Sequence, residues 1–186
     1  MGNRGDKFVV VLKNVSASST TKIHVSRSSS SPILLSPIEP TGSIVSPGTA
    51  RSSLTVGAVD IDSGDLAEYS SQGPTDDGRL KPEVTAPTAV MSRAYQDRFP
   101  GTSASSPHVA GFGGLILSTG MVSKSDLSSK VTEFTRAIGQ SPDNRFGYGH
   151  IDGSAADSGL SKPQSRTLED VLDQIINEQK STDSGR

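Results

Sequence analysis

Gly101-Thr102-Ser103-Ala104-Ser105-Ser106-Pro107-His108-Val109-Ala110-Gly111 is the stretch whose reading decides this chain. It places a serine on a glycine-led turn directly before a helical pattern. A hydroxyl at a helix N-terminus lies beside backbone N–H groups that have no intrahelical acceptor, at the positive end of the helix dipole. Negative charge developing on an oxygen is stabilised there, which is what acyl transfer requires. Taken alone, the same arrangement describes an ordinary helix cap, for which serine is favoured. The surrounding sequence has to decide between the two.

Outward from the turn, Ser103–Leu117 reads as a helix. Ala104, Val109, Leu115 and Ile116 share its buried face, and Gly111, Gly113 and Gly114 allow close neighbours. Pro107 falls near the first turn, where a lost N–H costs least. Upstream, Leu54–Val59 is a short apolar run bounded by turn residues, the pattern of a strand buried on both faces. A polar, Gly- and Pro-rich connection follows, then a second short strand around Ala89–Met91. Downstream, Leu127, Val131, Phe134 and Ile138 predict a second helix over Ser125–Ile138. Residues 156–166 read as a linker. Thr167 opens a last amphipathic helix over residues 167–178, with Leu168, Val171, Leu172, Ile175 and Ile176 on one stripe, and packing on the chain's own body is expected for it. Near the start, Phe8–Leu12 and Ile23–Val25 predict antiparallel strands.

Composition sets the limits. The chain has 186 residues, room for about one domain. Hydrophobic residues make up 32% and aromatics 4%, with no Trp, so large core anchors are few. The formal charge of -2 gives no reason to expect nucleic acid or an anionic membrane as a partner. The absence of Cys excludes disulfides, thiolate metal sites and cysteine nucleophiles. No run is long enough to span a bilayer, and Phe8–Leu12 is too short for a signal-peptide core. No carboxylate cluster has calcium-loop spacing, and Asp76-Asp77 reads as a solvated turn.

Five segments then fall into one order: Ser46-Pro47-Gly48 leading into Leu54-Thr55-Val56-Gly57-Ala58-Val59-Asp60; Tyr69-Ser70-Ser71-Gln72-Gly73-Pro74-Thr75; Gly78-Arg79-Leu80-Lys81-Pro82-Glu83-Val84-Thr85-Ala86-Pro87; the Ser103 run; and Phe146-Gly147-Tyr148-Gly149-His150-Ile151-Asp152. Together they resemble the subtilisin-like serine proteases, the subtilases of peptidase family S8, over residues 42–155. The resemblance implies an α/β fold, part of a mostly parallel sheet flanked by helices. Residues 5–36 resemble the last strands of a β-sandwich inserted into some bacterial subtilases. The implied boundaries are 1–41 for the insert, 42–155 for the C-terminal part of the catalytic domain, and 156–186 for the linker and terminal helix. The Ser46–Pro47 bond is implied to be cis.

The implied activity is hydrolysis of internal peptide bonds. Ser103 is the implied nucleophile, its own backbone N–H one donor to the oxyanion. Gly101 and Thr102 would form the close approach to the substrate, and no cofactor or metal is implied. Triad order in the family is Asp, His, Ser, so both partners should precede Ser103. Neither is recognisable. Asp62-Ser63-Gly64 has the letters of an aspartate motif but follows the Val56–Val59 strand, where the family has a surface turn. His24, His108 and His150 lack the family's His-Gly-Thr-like setting and read as structural or surface residues. Gly2-Asn3 reads as a turn rather than as the family's oxyanion asparagine. Thr88 stands where the family usually has glycine. The chain is therefore expected to carry the nucleophile without its base, to be inactive alone and to leave an apolar sheet edge or face open. Its expected partners are a polypeptide substrate and the N-terminal half of the catalytic domain. The alternative is an inactive remnant serving as a binding domain. The family is often secreted, and no signal peptide is read in these residues.

Overall fold

The computed structural model of the chain describes residues 9–20, 23–25, 38–94, 96–120 and 122–154. Contacts divide the chain into residues 1–38 and 39–186. In the first unit, residues 9–20 and 23–25 contain no strand, which corrects the antiparallel reading for the residues described. Val9, Val10, Val11, Leu12, Ile23 and Val25 are all exposed. A strand needs a neighbour to pair with and a face to bury, and these runs have neither among the described residues. The local order present is an Asn14 turn, whose side-chain oxygen accepts the Ala17 N–H at 2.8 Å.

Among its described residues the second unit holds a four-stranded sheet and two helices. In chain order these are β1 (Val56–Asp60), β2 (Val84–Thr88), α1 (Thr102–Ser118), α2 (Leu127–Glu133), β3 (Thr135–Arg136) and β4 (His150–Ile151). The sheet runs β1-β2-β4-β3. β1, β2 and β4 are parallel, and β3 lies antiparallel to β4. The mostly parallel α/β architecture expected from the sequence is what the chain forms. The Ser46–Pro47 bond is cis, as the resemblance implied.

β2 falls earlier than the strand expected at Ala89–Met91, because prolines masked it. Thr85 donates its N–H to Gly149 O at 2.8 Å, on the β4 side. Pro87, two residues on, turns its N to the same side. The β2–β4 pairing is confined to Thr85 and His150, so Pro87 lies past its end and removes no ladder bond. Ala89, at φ 57, then turns the chain out of the strand.

The core lies between the sheet and α1. Val84 and Ala86 meet Val109, Phe112, Ile116 and Val131, flanked by Leu54, Val56, Leu127, Phe134 and Ile151. Phe112 and Phe134 pack edge to face at 6.4 Å. Ser105, Val109, Phe112 and Ile116 define the buried stripe of α1, and Leu115 is 57% exposed, against its expected place in the core. Gly113 alone of the three helix glycines faces a neighbour, Leu127; Gly111 and Gly114 lie on the open side. α2 stops at Glu133, short of the expected Ile138. Phe134 leaves helical geometry, and Thr135 and Arg136 pair with Ile151 and His150 as β3. The apolar spacing of Phe134 and Ile138 continued the helical pattern across this boundary.

β1 forms one margin of the sheet, and its outer edge is partly closed. Ala67 and Asp60 N–H groups reach Ala58 O and Asp65 O, both at 2.9 Å, and Ser70 Oγ accepts the Ala58 N–H at 3.0 Å. The open edge expected from the sequence is thus covered at its C-terminal half by residues 65–70. An open apolar patch lies instead on α1, where Ala110, Gly111, Gly114 and Leu115 are exposed on a 17-residue helix whose one titratable residue is His108. The expected helix at residues 167–178 lies outside the described residues.

Two polar clusters brace the loops under β2. Lys81 is 1% exposed, and its ammonium lies 2.5 Å from the Glu83 carboxylate and donates to Ser53 O at 2.7 Å. The other Glu83 oxygen accepts the Thr55 N–H at 2.7 Å. Asp77 is more than the solvated turn residue expected. It accepts from Thr75 Oγ1 at 2.6 Å and from Arg79 Nε at 2.9 Å, with Arg51 also at 2.9 Å. The Arg79 and Thr75 hydrogen bonds, ahead of the charges of Arg79 and Arg51, lower its pKa to about 2.

Candidate active site

The Gly101–Ser103 turn stands at the carboxyl end of β2, where parallel α/β sheets characteristically hold their ligands. Its placement follows from local chemistry. Thr88, fully buried as the last residue of β2, donates its hydroxyl to Gly101 O at 3.0 Å. Ser105, also fully buried, donates to Pro87 O at 3.1 Å. The two bonds fasten both sides of the turn to the same strand end.

Gly101 is the N-cap of α1, at φ 103 and ψ 159, and its side makes no cap hydrogen bond. Only glycine enters that backbone region without strain. Its carbonyl accepts the Ala104 N–H at 2.9 Å. No described residue accepts a hydrogen bond from the Thr102 or Ser103 N–H, and α1 has no acidic residue in its first turn. Ser103 is exposed, and its hydroxyl makes no hydrogen bond to a described residue. The turn therefore presents a hydroxyl and two undirected N–H donors at the positive end of a helix. That combination suits an oxyanion forming next to a nucleophile. Pro107 lies in the second turn of α1; the N–H it lacks is the one that would have bonded to the Ser103 carbonyl.

The candidate partners are elsewhere. His108 turns back along its own helix, with Nδ1 2.7 Å from Ala104 O. Since a carbonyl only accepts, Nδ1 carries a proton and donates. His150 is half-buried on β4, 3.5 Å from Thr85 Oγ1. Thr85 precedes Thr88 by three residues, about 10 Å down the strand from the Gly101 turn. Burial, then the charge of Arg136, lowers the His150 pKa. Asp62 occupies a turn after β1, where Asp60 Oδ1 accepts the Asp62 and Ser63 N–H groups, and it is paired with Arg98 at 2.5 Å. No hydrogen bond joins any described histidine or carboxylate to Ser103. Among the described residues no group of His, Asp and Glu could hold a metal ion, and no helix is long and apolar enough to cross a membrane. Gly2 and Asn3 lie outside the described residues.

The closing segment supports the strand that carries the site. Tyr148 N–H donates to Glu83 O at 2.8 Å, and Gly147, at φ 62, lies where any Cβ would strike the Glu83 backbone. One feature of the site was not read from the sequence. Tyr69 accepts the Gly101 N–H at 3.0 Å and bonds Thr88 Oγ1 at 2.9 Å. Its partners are 19 and 32 residues away, and no local signal links them.

Comparison with known proteins bears on the family and the fold. Residues 14–149 match the subtilase family, peptidase S8. Bacillopeptidase F of Bacillus subtilis (strain 168) is 30% identical over 148 residues, which cover 72% of this chain and 10% of that protein. The CspB protease of Clostridium perfringens shares the fold at a TM-score of 0.55 and 19% identity, over 67% of this chain and 30% of that one. MycP1 from Mycobacterium smegmatis aligns at a TM-score of 0.48 and 26% identity, over 61% of this chain and 32% of its own. The chain thus spans 10% of the length of the curated relative and about a third or less of the solved structures. On the family match and the ordered motifs of residues 42–155, the chain belongs to the subtilase family of serine proteases.

Proposed function

We propose that this chain supplies the nucleophile side of a serine endopeptidase site and that the histidine and aspartate come from polypeptide outside these 186 residues. The observation that carries the reading is the Ser103 turn: an exposed hydroxyl and undirected N–H groups at the end of β2, inside a subtilase match. In the reaction, Ser103 Oγ attacks the carbonyl carbon of a peptide bond while its proton passes to the imidazole supplied from outside. The C–N bond breaks, the imidazolium protonates the leaving amine, and water then hydrolyses the acyl-enzyme by the same route. The Ser103 N–H donates to the oxyanion, and Gly101 and Thr102 admit the substrate backbone. Without the base, the Ser103 hydroxyl is a poor nucleophile at neutral pH, so the chain alone is inactive. The test is casein hydrolysis by the tagged chain purified with its native partners. Loss of activity in Ser103→Ala is expected, and equal activity in that variant would sink the assignment.

The absence of any described base at Ser103 also favours a second reading, an inactive remnant that serves as a binding domain. The nucleotide sequence upstream of Met1 separates the two. An in-frame or frameshifted stretch encoding the aspartate and histidine motifs supports the endopeptidase, and unrelated sequence supports the remnant.

A further inference from the structure

The N–H and the C=O of Gly101 are joined to each other through two side-chain hydroxyls. Gly101 N–H meets Tyr69 Oη at 3.0 Å, Tyr69 Oη meets Thr88 Oγ1 at 2.9 Å, and Thr88 Oγ1 meets Gly101 O at 3.0 Å. One assignment of protons satisfies all three. A carbonyl only accepts, so Thr88 donates to Gly101 O. Having used its proton, Thr88 accepts from Tyr69, and the Tyr69 oxygen accepts the Gly101 N–H. Every donor in the ring points the same way round, the arrangement in which each bond polarises the next.

The geometric consequence is specific. The N–H and C=O of a single residue are related by φ and ψ alone. A bridge between them fixes both angles at once. Gly101 needs that help, because at φ 103 and ψ 159 it sits where a glycine has many alternatives. The bridge is itself anchored. Thr88 is fully buried at the end of β2, and the segment bearing Tyr69 is hydrogen-bonded to the edge of β1 through Ala67 and Ser70.

We infer that Tyr69 and Thr88 are positioning residues for Ser103: by closing a hydrogen-bonded ring through Gly101 they set the dihedrals that aim the Thr102 and Ser103 N–H groups. The inference rests on the reading of Ser103 as nucleophile for its purpose, though not for the existence of the ring. Preorganised donors of this kind lower a barrier because they need not reorganise when charge develops.

Amide hydrogen exchange on the full chain tests it, with Tyr69→Phe, Thr88→Val and Thr88→Ser. Loss of either hydroxyl should speed Gly101 exchange about tenfold, the scale of one hydrogen bond, and shift the Ser103 amide resonance. Thr88→Ser should restore both. The double variant Tyr69→Phe/Thr88→Val should add little to either single change, because one break opens the ring. Tyr69 is half-exposed, so its variant keeps the test decidable if Thr88→Val does not fold. Unchanged Gly101 exchange and Ser103 shift in Tyr69→Phe would overturn the inference, as would additive effects. In the enzyme purified with its partners, Tyr69→Phe should lower kcat with KM unchanged. A loosened Gly101 together with peptidase activity that survives Ser103→Ala would place the failure in the nucleophile assignment and leave the ring standing.

Discussion

Ser105 and Pro87 lock the first turn of α1 to the end of β2 through one hydrogen bond: the fully buried Ser105 hydroxyl donates to Pro87 O at 3.1 Å. The bond lies two residues past Ser103 and on the opposite, inward side of the helix. Removing it leaves a carbonyl without this donor. Ser105→Ala should cost about 1–3 kcal/mol of stability. Urea unfolding measures it, and a midpoint equal to wild type would show that the turn is held by other contacts.

The exchange of roles between Leu115 and Phe112 gives a second test. Phe112 is buried against Phe134, whereas Leu115 is 57% exposed. Phe112→Ala should cost about 3–5 kcal/mol. Leu115→Ala should change the stability of the chain by less than about 0.5 kcal/mol, as an exposed position does. Chemical denaturation of both variants checks the pair; equal losses would mean that α1 presents a different face to the sheet.

Lys81 offers a third. Its ammonium is enclosed by Glu83, Ser53 and Thr55, so Lys81→Met would leave the Glu83 carboxylate without its cation and Ser53 O without its donor. A loss of about 3–5 kcal/mol is expected for breaking such a pair by removing one partner. Thermal and urea unfolding read it, and a loss under about 1 kcal/mol would show that the ammonium is solvated rather than enclosed.

Two groups give a test of the dependence of stability on pH. Asp77 titrates at about 2 in the folded chain, against about 3.9 unfolded. Its contribution is therefore complete above the unfolded value and fades as pH falls through the folded one. The His150 pKa is lowered by burial and by Arg136, from an unfolded value of about 6.5. Its contribution is likewise complete above that value and is lost as pH falls below it, because the unfolded chain takes up the proton more readily. Melting temperature against pH should decline on the acid side, with His150→Gln reducing the upper part and Asp77→Asn the lower, to which the lowered carboxylates of Glu39 and Asp60 also contribute. Unaltered profiles would contradict the two assignments.

How much of this was legible in the sequence depended on the range of the interaction. The Val56–Val59 strand and the helix after Ser103 were readable because apolar periodicity and a glycine turn are local signals. β2 was obscured by Pro87, which is tolerated because it lies past the end of the β4 pairing. The end of α2 was hidden because Phe134 and Ile138 keep helical spacing while the backbone turns to pair with β4. The turn that carries Ser103 was legible from its motif. The ring through Tyr69, Thr88 and Gly101 was not, since two hydroxyl side chains and a glycine backbone at distant positions leave no pattern until the sheet assembles them.

The central claim is that Ser103 is a nucleophile whose base lies outside these residues. It is tested most directly by incubating the isolated chain at neutral pH with a fluorophosphonate and mapping the modified residue by mass spectrometry, wild type beside Ser103→Ala. The account predicts no modification of Ser103 above the background shown by the alanine variant. Rapid, stoichiometric labelling of Ser103 in the isolated chain would contradict it, because the 186 residues would then contain a working base.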